Sequence, residues 1–179
     1  MQFEGEGLLL KEIYKKVLLE MIDNCKRSDR ELAKILGVSQ PTVTRARRWL
    51  EKNGMIREYT LIPEFSRVGL EIVAFTLIKI RPETKMNKVN EIRKKAESFF
   101  GRHPNVVMAL RGEGLGSDGV LLSLHKNYAE FIQFMRELKM ETVNTEVVGS
   151  FLASLKDANQ YRYLSFKTLK EYLTREDYS

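Results

Sequence analysis

Arg45, Arg48 and Lys52 are spaced three and four residues apart, so on a helix they share one face. Thr44 falls beside them, while Val43, Ala46 and Leu50 form an apolar stripe on the opposite side. Three cations and a hydroxyl projecting from an apolar-backed helix make a small, directed positive surface. The chemistry open to it is recognition of a polyanion. A guanidinium can bond O6 and N7 of guanine together, and lysine or threonine can hold phosphate oxygens. Gln40 and Thr42, at the start of the same helix, are placed to reach base edges or phosphates. Arg47 borders the apolar stripe and is expected either to flank a groove or to pair internally. Arg57, just beyond the helix, is in a position to touch backbone phosphate. Trp49 reads as a packing or domain-contact residue, not a DNA contact.

Other chemistries are poorly supplied. His103 and His125, the two histidines, stand in a loop and at a strand end. Neither has a serine, cysteine or paired carboxylate at a recognisable catalytic spacing. The single cysteine, Cys25, excludes an intramolecular disulfide and a multi-cysteine zinc site. No catalytic residue, metal site or cofactor is expected. Gly114, Gly116 and Gly119 spell G-x-G-x-x-G, but the nucleotide fingerprint needs a helix to follow and here a strand follows. A hairpin turn over Gly112–Gly119 explains the glycines without a ligand. Glu113 and Asp118 in that turn are either solvent-facing carboxylates or holders of a small amino or cationic group.

The elements that must position the cationic face are helices. Ile13, Val17, Leu18, Met21 and Ile22 recur at helical spacing between Lys11 and Asn24. Ser28 stands three residues before Glu31, the spacing of a capping box. A helix Asp29–Leu36 would stop at Gly37, which tolerates the left-handed conformation of a helix end. Ser39 is an N-cap for the next helix, where Pro41 is accommodated in the first turn, and Gly54 follows its end. Two short helices joined by a tight glycine turn, after a longer one, form a helix-turn-helix. Met55–Ile62 alternates and reads as a strand, either a wing or a linking strand. Pro63–Gly69 is the expected connection.

The remaining pattern is mixed. Ile72–Ile80 is a nearly continuous apolar strand closed by Pro82. Val89, Ile92, Ala96, Phe99 and Phe100 form a helix stripe, with Asn87 as its cap. Strands Val106–Leu110 and Val120–Leu124 follow, then a helix capped by Asn127 that carries Phe131, Phe134, Met135 and Leu138. A fourth strand lies within Val143–Leu155. The order β-α-β-β-α-β is the ferredoxin-like split unit. Its helices take one sheet face, and the other, still apolar, invites a second copy. The fold class is α+β. Four segments are expected: 1–62 winged helix-turn-helix, 63–69 linker, 70–155 ferredoxin-like domain, and 156–179 an extension with a helix from about Phe166 to Leu173 capped by Ser165.

Composition agrees with this reading without deciding it. The 179 residues carry 30 Lys+Arg against 24 Asp+Glu, a formal charge of +6. Residues 1–60 and 61–179 each hold a surplus of three positive charges, so the total does not single out either half. A hydrophobic fraction of 43% with 30% charged residues is that of a folded chain, not a disordered one. No apolar run reaches membrane-spanning length. Leu8-Leu9-Leu10, following acidic residues, has the wrong order for a secretory signal. A cytoplasmic protein is expected.

Asp29-Arg30-Glu31-Leu32-Ala33, Leu36-Gly37-Val38-Ser39, Thr42-Val43-Thr44-Arg45 and Leu50-Glu51-Lys52-Asn53-Gly54-Met55-Ile56 resemble the reader head of the Lrp/AsnC family of feast/famine transcription regulators. Gly69-Leu70, Ala74-Phe75 and Ile78-Lys79 resemble that family's first sheet strand. The resemblance covers roughly residues 10–155. It implies a ferredoxin-like domain of the RAM type and a homodimer built through it, often assembled into tetramers or octamers. It also implies double-stranded DNA as partner of the third helix, and control by a small effector, commonly an amino acid, near the hairpin between the second and third strands. Gly112-Glu113 resembles the start of the family's Gly-acidic-aromatic-Asp turn and Asp118 its aspartate. Here the aromatic is absent and Gly114-Leu115-Gly116-Ser117 lengthens the turn. No membrane partner is implied. Two other readings stay open at this point: an AsnC-like tetrapyrrole-processing enzyme, and a ligand-sensing or interaction module that does not bind DNA.

Overall fold

The computed structural model describes residues 11–81, 89–141, 144–156 and 161–175. Pro82, Asn87 and Val143, read above as a strand stop, a helix cap and part of the fourth strand, lie outside them. The chain forms two compact units, Met1–Ile62 with Arg162–Ser179, and Pro63–Tyr161.

The first unit is helical: α1 (Glu12–Asp23), α2 (Asp29–Leu36) and α3 (Gln40–Lys52). The N-terminus of α2 is closed reciprocally. The Ser28 hydroxyl oxygen accepts the Glu31 amide at 3.3 Å, and the Glu31 carboxylate accepts the Ser28 amide at 2.7 Å. Gly37, at φ 66°, ends the helix in the left-handed region. Ser39 then accepts the Thr42 amide and starts α3, with Pro41 in its first turn. Val17, Met21, Leu32, Val43, Ala46 and Leu50 are buried together. Trp49 packs at the rim of this core, its ring 4.8 Å from that of Tyr14.

The expected wing strand over Met55–Ile62 is not a strand. The segment is without regular secondary structure, and among the described residues all four strands belong to the other unit. Alternation specifies an extended backbone that exposes two faces. A strand also needs a ladder partner, and among the described residues none pairs with this segment. The tail supplies a further helix instead. α6 (Thr168–Arg175) packs on α1, with Lys170 Nζ 2.7 Å from Glu20. It begins two residues after the expected start, because Ser165 accepts the Lys167 amide at 3.3 Å and closes a turn ahead of the helix.

The second unit opens with a 3-10 turn, Phe65–Val68, in the segment read as a plain connection. There follow β1 (Ile72–Ile80), α4 (Val89–Arg102), β2 (Val106–Gly114), β3 (Ser117–His125), α5 (Tyr128–Glu141) and β4 (Thr145–Ser154). The sheet is antiparallel in the order β2-β3-β1-β4, the split βαββαβ arrangement expected. Phe99 of α4 and Phe134 and Leu138 of α5 are buried against Leu121, so both helices cover one face. On the opposite face Phe75 is 39% and Phe151 68% exposed, although they pair across the strands.

The glycine-rich turn is shorter than expected. β2 and β3 run to Gly114 and Ser117, leaving only Leu115-Gly116 at the tip. Both have positive φ, 51° and 69°, as the primed hairpin turns require. Cross-strand pairing extends the strands over glycines that local pattern alone assigns to a loop.

Candidate nucleic-acid interface

The seating of α3 rests on one carboxylate. Asp29, the first residue of α2, accepts Arg47 Nε on one oxygen and the Thr44 hydroxyl on the other, each at 2.7 Å. A second Arg47 nitrogen donates to the Arg27 carbonyl at 3.1 Å. Asp29 and Arg47 are about one-fifth exposed, 21% and 19%, so the pair is held largely away from water. From the segment after α3, Tyr59 donates to Glu51 at 2.8 Å. Burial opposes the charge of Arg47, but the Tyr59 hydroxyl and the Asp29 carboxylate outweigh it and raise its pKa. Burial, then the bond to Glu51, raises Tyr59 against the pull of Arg47. α2, α3 and the following segment are thereby pinned at one corner.

Thr44 therefore does not stand with the cations, as expected of it. It lies on the flank facing Asp29, half-buried, with its hydroxyl committed there and to the Gln40 carbonyl at 3.1 Å. The helical wheel puts it on the polar side. It cannot show that a carboxylate fifteen residues earlier takes the hydroxyl. Thr42 is likewise half-buried, its hydroxyl 2.8 Å from that of Ser39 at the cap. Arg47 resolves to the internal one of its two expected roles.

Arg45, Arg48 and Lys52 are exposed. At 3.6 residues per turn they fall within an arc of about 60°, opposite Val43, Ala46 and Leu50. Among the described residues none of the three has an ion-pair partner. Gln40 is exposed at the first position of α3, and Arg57 is exposed beyond its end. Several carboxylates of this unit are engaged elsewhere: Asp29 with Arg47, Glu51 with Tyr59, and Glu20 and Asp23 with Arg27 at 2.6 and 2.7 Å. These four acids are bonded to groups other than the three cations of the positive face. Asp29 and Tyr59 were not singled out from the sequence, and nothing in their own neighbourhood would have marked them.

The residues considered for a small effector fall in the second unit. Gly112 and Glu113 are exposed near the end of β2, within the strand and not in a loop. Asp118, on β3, is half-buried, and its carboxylate accepts the Ile80 amide of β1 at 2.7 Å. The histidines hold structure together. His103 lies 2.8 Å from both the Phe99 carbonyl and the Glu137 carboxylate, joining α4 to α5. His125 is fully buried with Nε2 2.9 Å from the Ser123 hydroxyl, and burial lowers its pKa.

Comparison with known proteins agrees with this geometry. A family model described as winged helix-turn-helix DNA-binding matches residues 10–57. The chain is 31% identical over 147 residues to the leucine-responsive regulatory protein of Rhizobium meliloti, covering 81% of this chain and 90% of the relative. It is 29% identical to the transcriptional regulator FL11 of Pyrococcus horikoshii, over 70% of this chain and 78% of that one. Among solved structures, an AsnC family transcriptional regulator from Agrobacterium tumefaciens superposes with a TM-score of 0.66 at 20% identity, covering 85% of this chain and 92% of that one. A transcriptional regulator from Neisseria meningitidis, solved in complex with L-Met, gives 0.68 at 19% identity, covering 89% and 99%. The capped helix pair with its cationic third helix, the four-stranded sheet in β2-β3-β1-β4 order and these relatives agree: the chain belongs to the Lrp/AsnC family of DNA-binding transcriptional regulators.

Proposed function

We propose that α3 reads double-stranded DNA from the major groove through Arg45, Arg48 and Lys52, with Gln40 at its N-terminus and Arg57 contacting the flanking phosphate backbone. The observation that carries this is selective pairing. Arg47 is neutralised internally, whereas the three cations on the outer arc have no ion pair among the described residues. Thr44 and Thr42 serve by fixing the helix, not by reading. The chain is a binding protein, not a catalyst.

The sheet face bearing Phe75 and Phe151 supports a homodimer. Met108 and Leu110, paired with Leu122 and Val120, are also exposed, and a contiguous apolar surface of this kind favours burial against a second copy. A dimer would present two α3 helices to successive major grooves of a near-palindromic site. Effector control is proposed at the hairpin end of the sheet, through Gly112, Glu113 and Asp118. The L-Met complex of the Neisseria regulator supports a small-molecule ligand in this fold.

Selection from a random duplex pool, followed by titration at several salt concentrations, tests the reading. Arg45→Gln should relax base preference by roughly 1–3 kcal/mol at one position. Lys52→Gln should weaken all sequences alike and lower the salt slope by about one. Unchanged binding in both variants would sink the assignment of this face.

A further inference from the structure

A cavity of about 490 Å³ lies in the second unit between α4 and the helix-bearing face of the sheet. Its origin is legible in side-chain size. Ala96 on α4, Ala109 on β2 and Gly119 on β3 all line it and leave the volume that larger residues would fill. Gly119 cannot be enlarged freely, since a Cβ there would meet the Leu110 carbonyl oxygen at 2.9 Å. The walls are apolar, including Ile78, Ile80, Ile92 and Phe99.

The charged groups on the lining do not balance. Arg93 is paired with Glu97 at 3.0 Å, and Asp118 is bonded to the Ile80 amide. Lys95 and Arg111 also line the cavity, and among the described residues neither has an ion-pair partner. An apolar hole of ligand size with spare positive charge on its lining suits an anion that has an apolar body. We propose that this cavity binds a small monocarboxylate with an aliphatic or aromatic body, the carboxylate meeting Arg111 and the body lying against Ile78, Ile92 and Phe99. Arg111 is suited to the task because a guanidinium bonds a carboxylate through two parallel N–H groups. Of the effector candidates Gly112, Glu113 and Asp118, only Asp118 lines this cavity, held there by the Ile80 amide, and the site does not depend on DNA reading.

Calorimetric titration of the full-length protein with octanoate, octanol and leucine tests the proposal. Octanoate should bind. Arg111→Gln should weaken octanoate by roughly ten- to a hundred-fold, the loss of a charge-assisted pair, while leaving octanol unchanged. Ala96→Leu, which fills the cavity, should abolish both without lowering the melting temperature. Ala109→Leu repeats the test should the first variant fold poorly. No octanoate binding by the native chain, or octanoate binding indifferent to both Arg111→Gln and cavity filling, would overturn the site. Leucine binding tighter than octanoate would overturn the assignment of a simple carboxylate.

Discussion

Replacing Asp29 by alanine sets two simple expectations against each other. Removing a carboxylate from a DNA-reading unit makes it more positive, and charge alone then predicts tighter DNA binding. The structure predicts the reverse. Asp29 is the common acceptor for Arg47 and Thr44, so its loss frees the corner that seats α3 on α2. Breaking a fully buried ion pair costs about 3–5 kcal/mol. Here the partners are 21% and 19% exposed, and Arg47 keeps the Arg27 carbonyl, which moves the cost to about 2 kcal/mol. Loss of an acidic group from the first turn of α2 adds about 0.5 kcal/mol. Urea titration should therefore show a destabilisation of about 2–3 kcal/mol. A double-mutant cycle with Arg47→Met should give a coupling of at least about 1 kcal/mol. DNA affinity should fall despite the gain in net charge. Destabilisation below about 0.5 kcal/mol, strictly additive variants, or a rise in DNA affinity would each refute the argument that this carboxylate seats the reading helix.

Three other outcomes follow from single observations. Ser28→Ala removes the cap of α2 and should cost about 1 kcal/mol in the same titration. The Glu31 carboxylate is held below its usual range first by the residue 28 amide, which alanine keeps, and then by the hydroxyl, which it loses, so NMR should show its pKa rising only in part. His125 is buried with a lowered pKa. As pH falls below the ordinary histidine value of about 6.5, the unfolded chain therefore takes up a proton that the folded chain refuses, and stability declines. His125→Asn should flatten that part of the pH profile. Phe75→Asp places a charge in the middle of the exposed apolar sheet face and should shift the protein to monomer in light scattering, with the circular dichroism of the fold retained.

The helix-turn-helix was legible because its signals are local. Ser28 with Glu31, Gly37, and Ser39 with Pro41 each act within one turn of chain, and each does in the structure what its chemistry requires. The β-α-β-β-α-β order was legible for the same reason, since strand and helix periods are properties of short windows. The Met55–Ile62 segment shows where this stops. Its alternation is real, yet a strand is defined by a neighbour, and no neighbour is written in those residues. The hairpin shows the opposite error. Gly112 and Gly114 look like loop, but pairing with β3 draws them into the sheet as far as Leu115-Gly116.

The candidate site divides along the same line. The sequence by itself determined that Arg45, Arg48 and Lys52 face away from Val43, Ala46 and Leu50, because helical pitch settles the direction of a side chain from its position. Only the tertiary structure decided which charges remain available. Arg47 is as basic as its neighbours, and Thr44 is as polar. Both are withdrawn from the surface because folding carries Asp29 across from α2 to meet them. Helical pitch assigns a residue to a face, but the energy of a charge depends on what lies within a few ångströms of it, and for α3 that neighbour comes from a distant part of the chain.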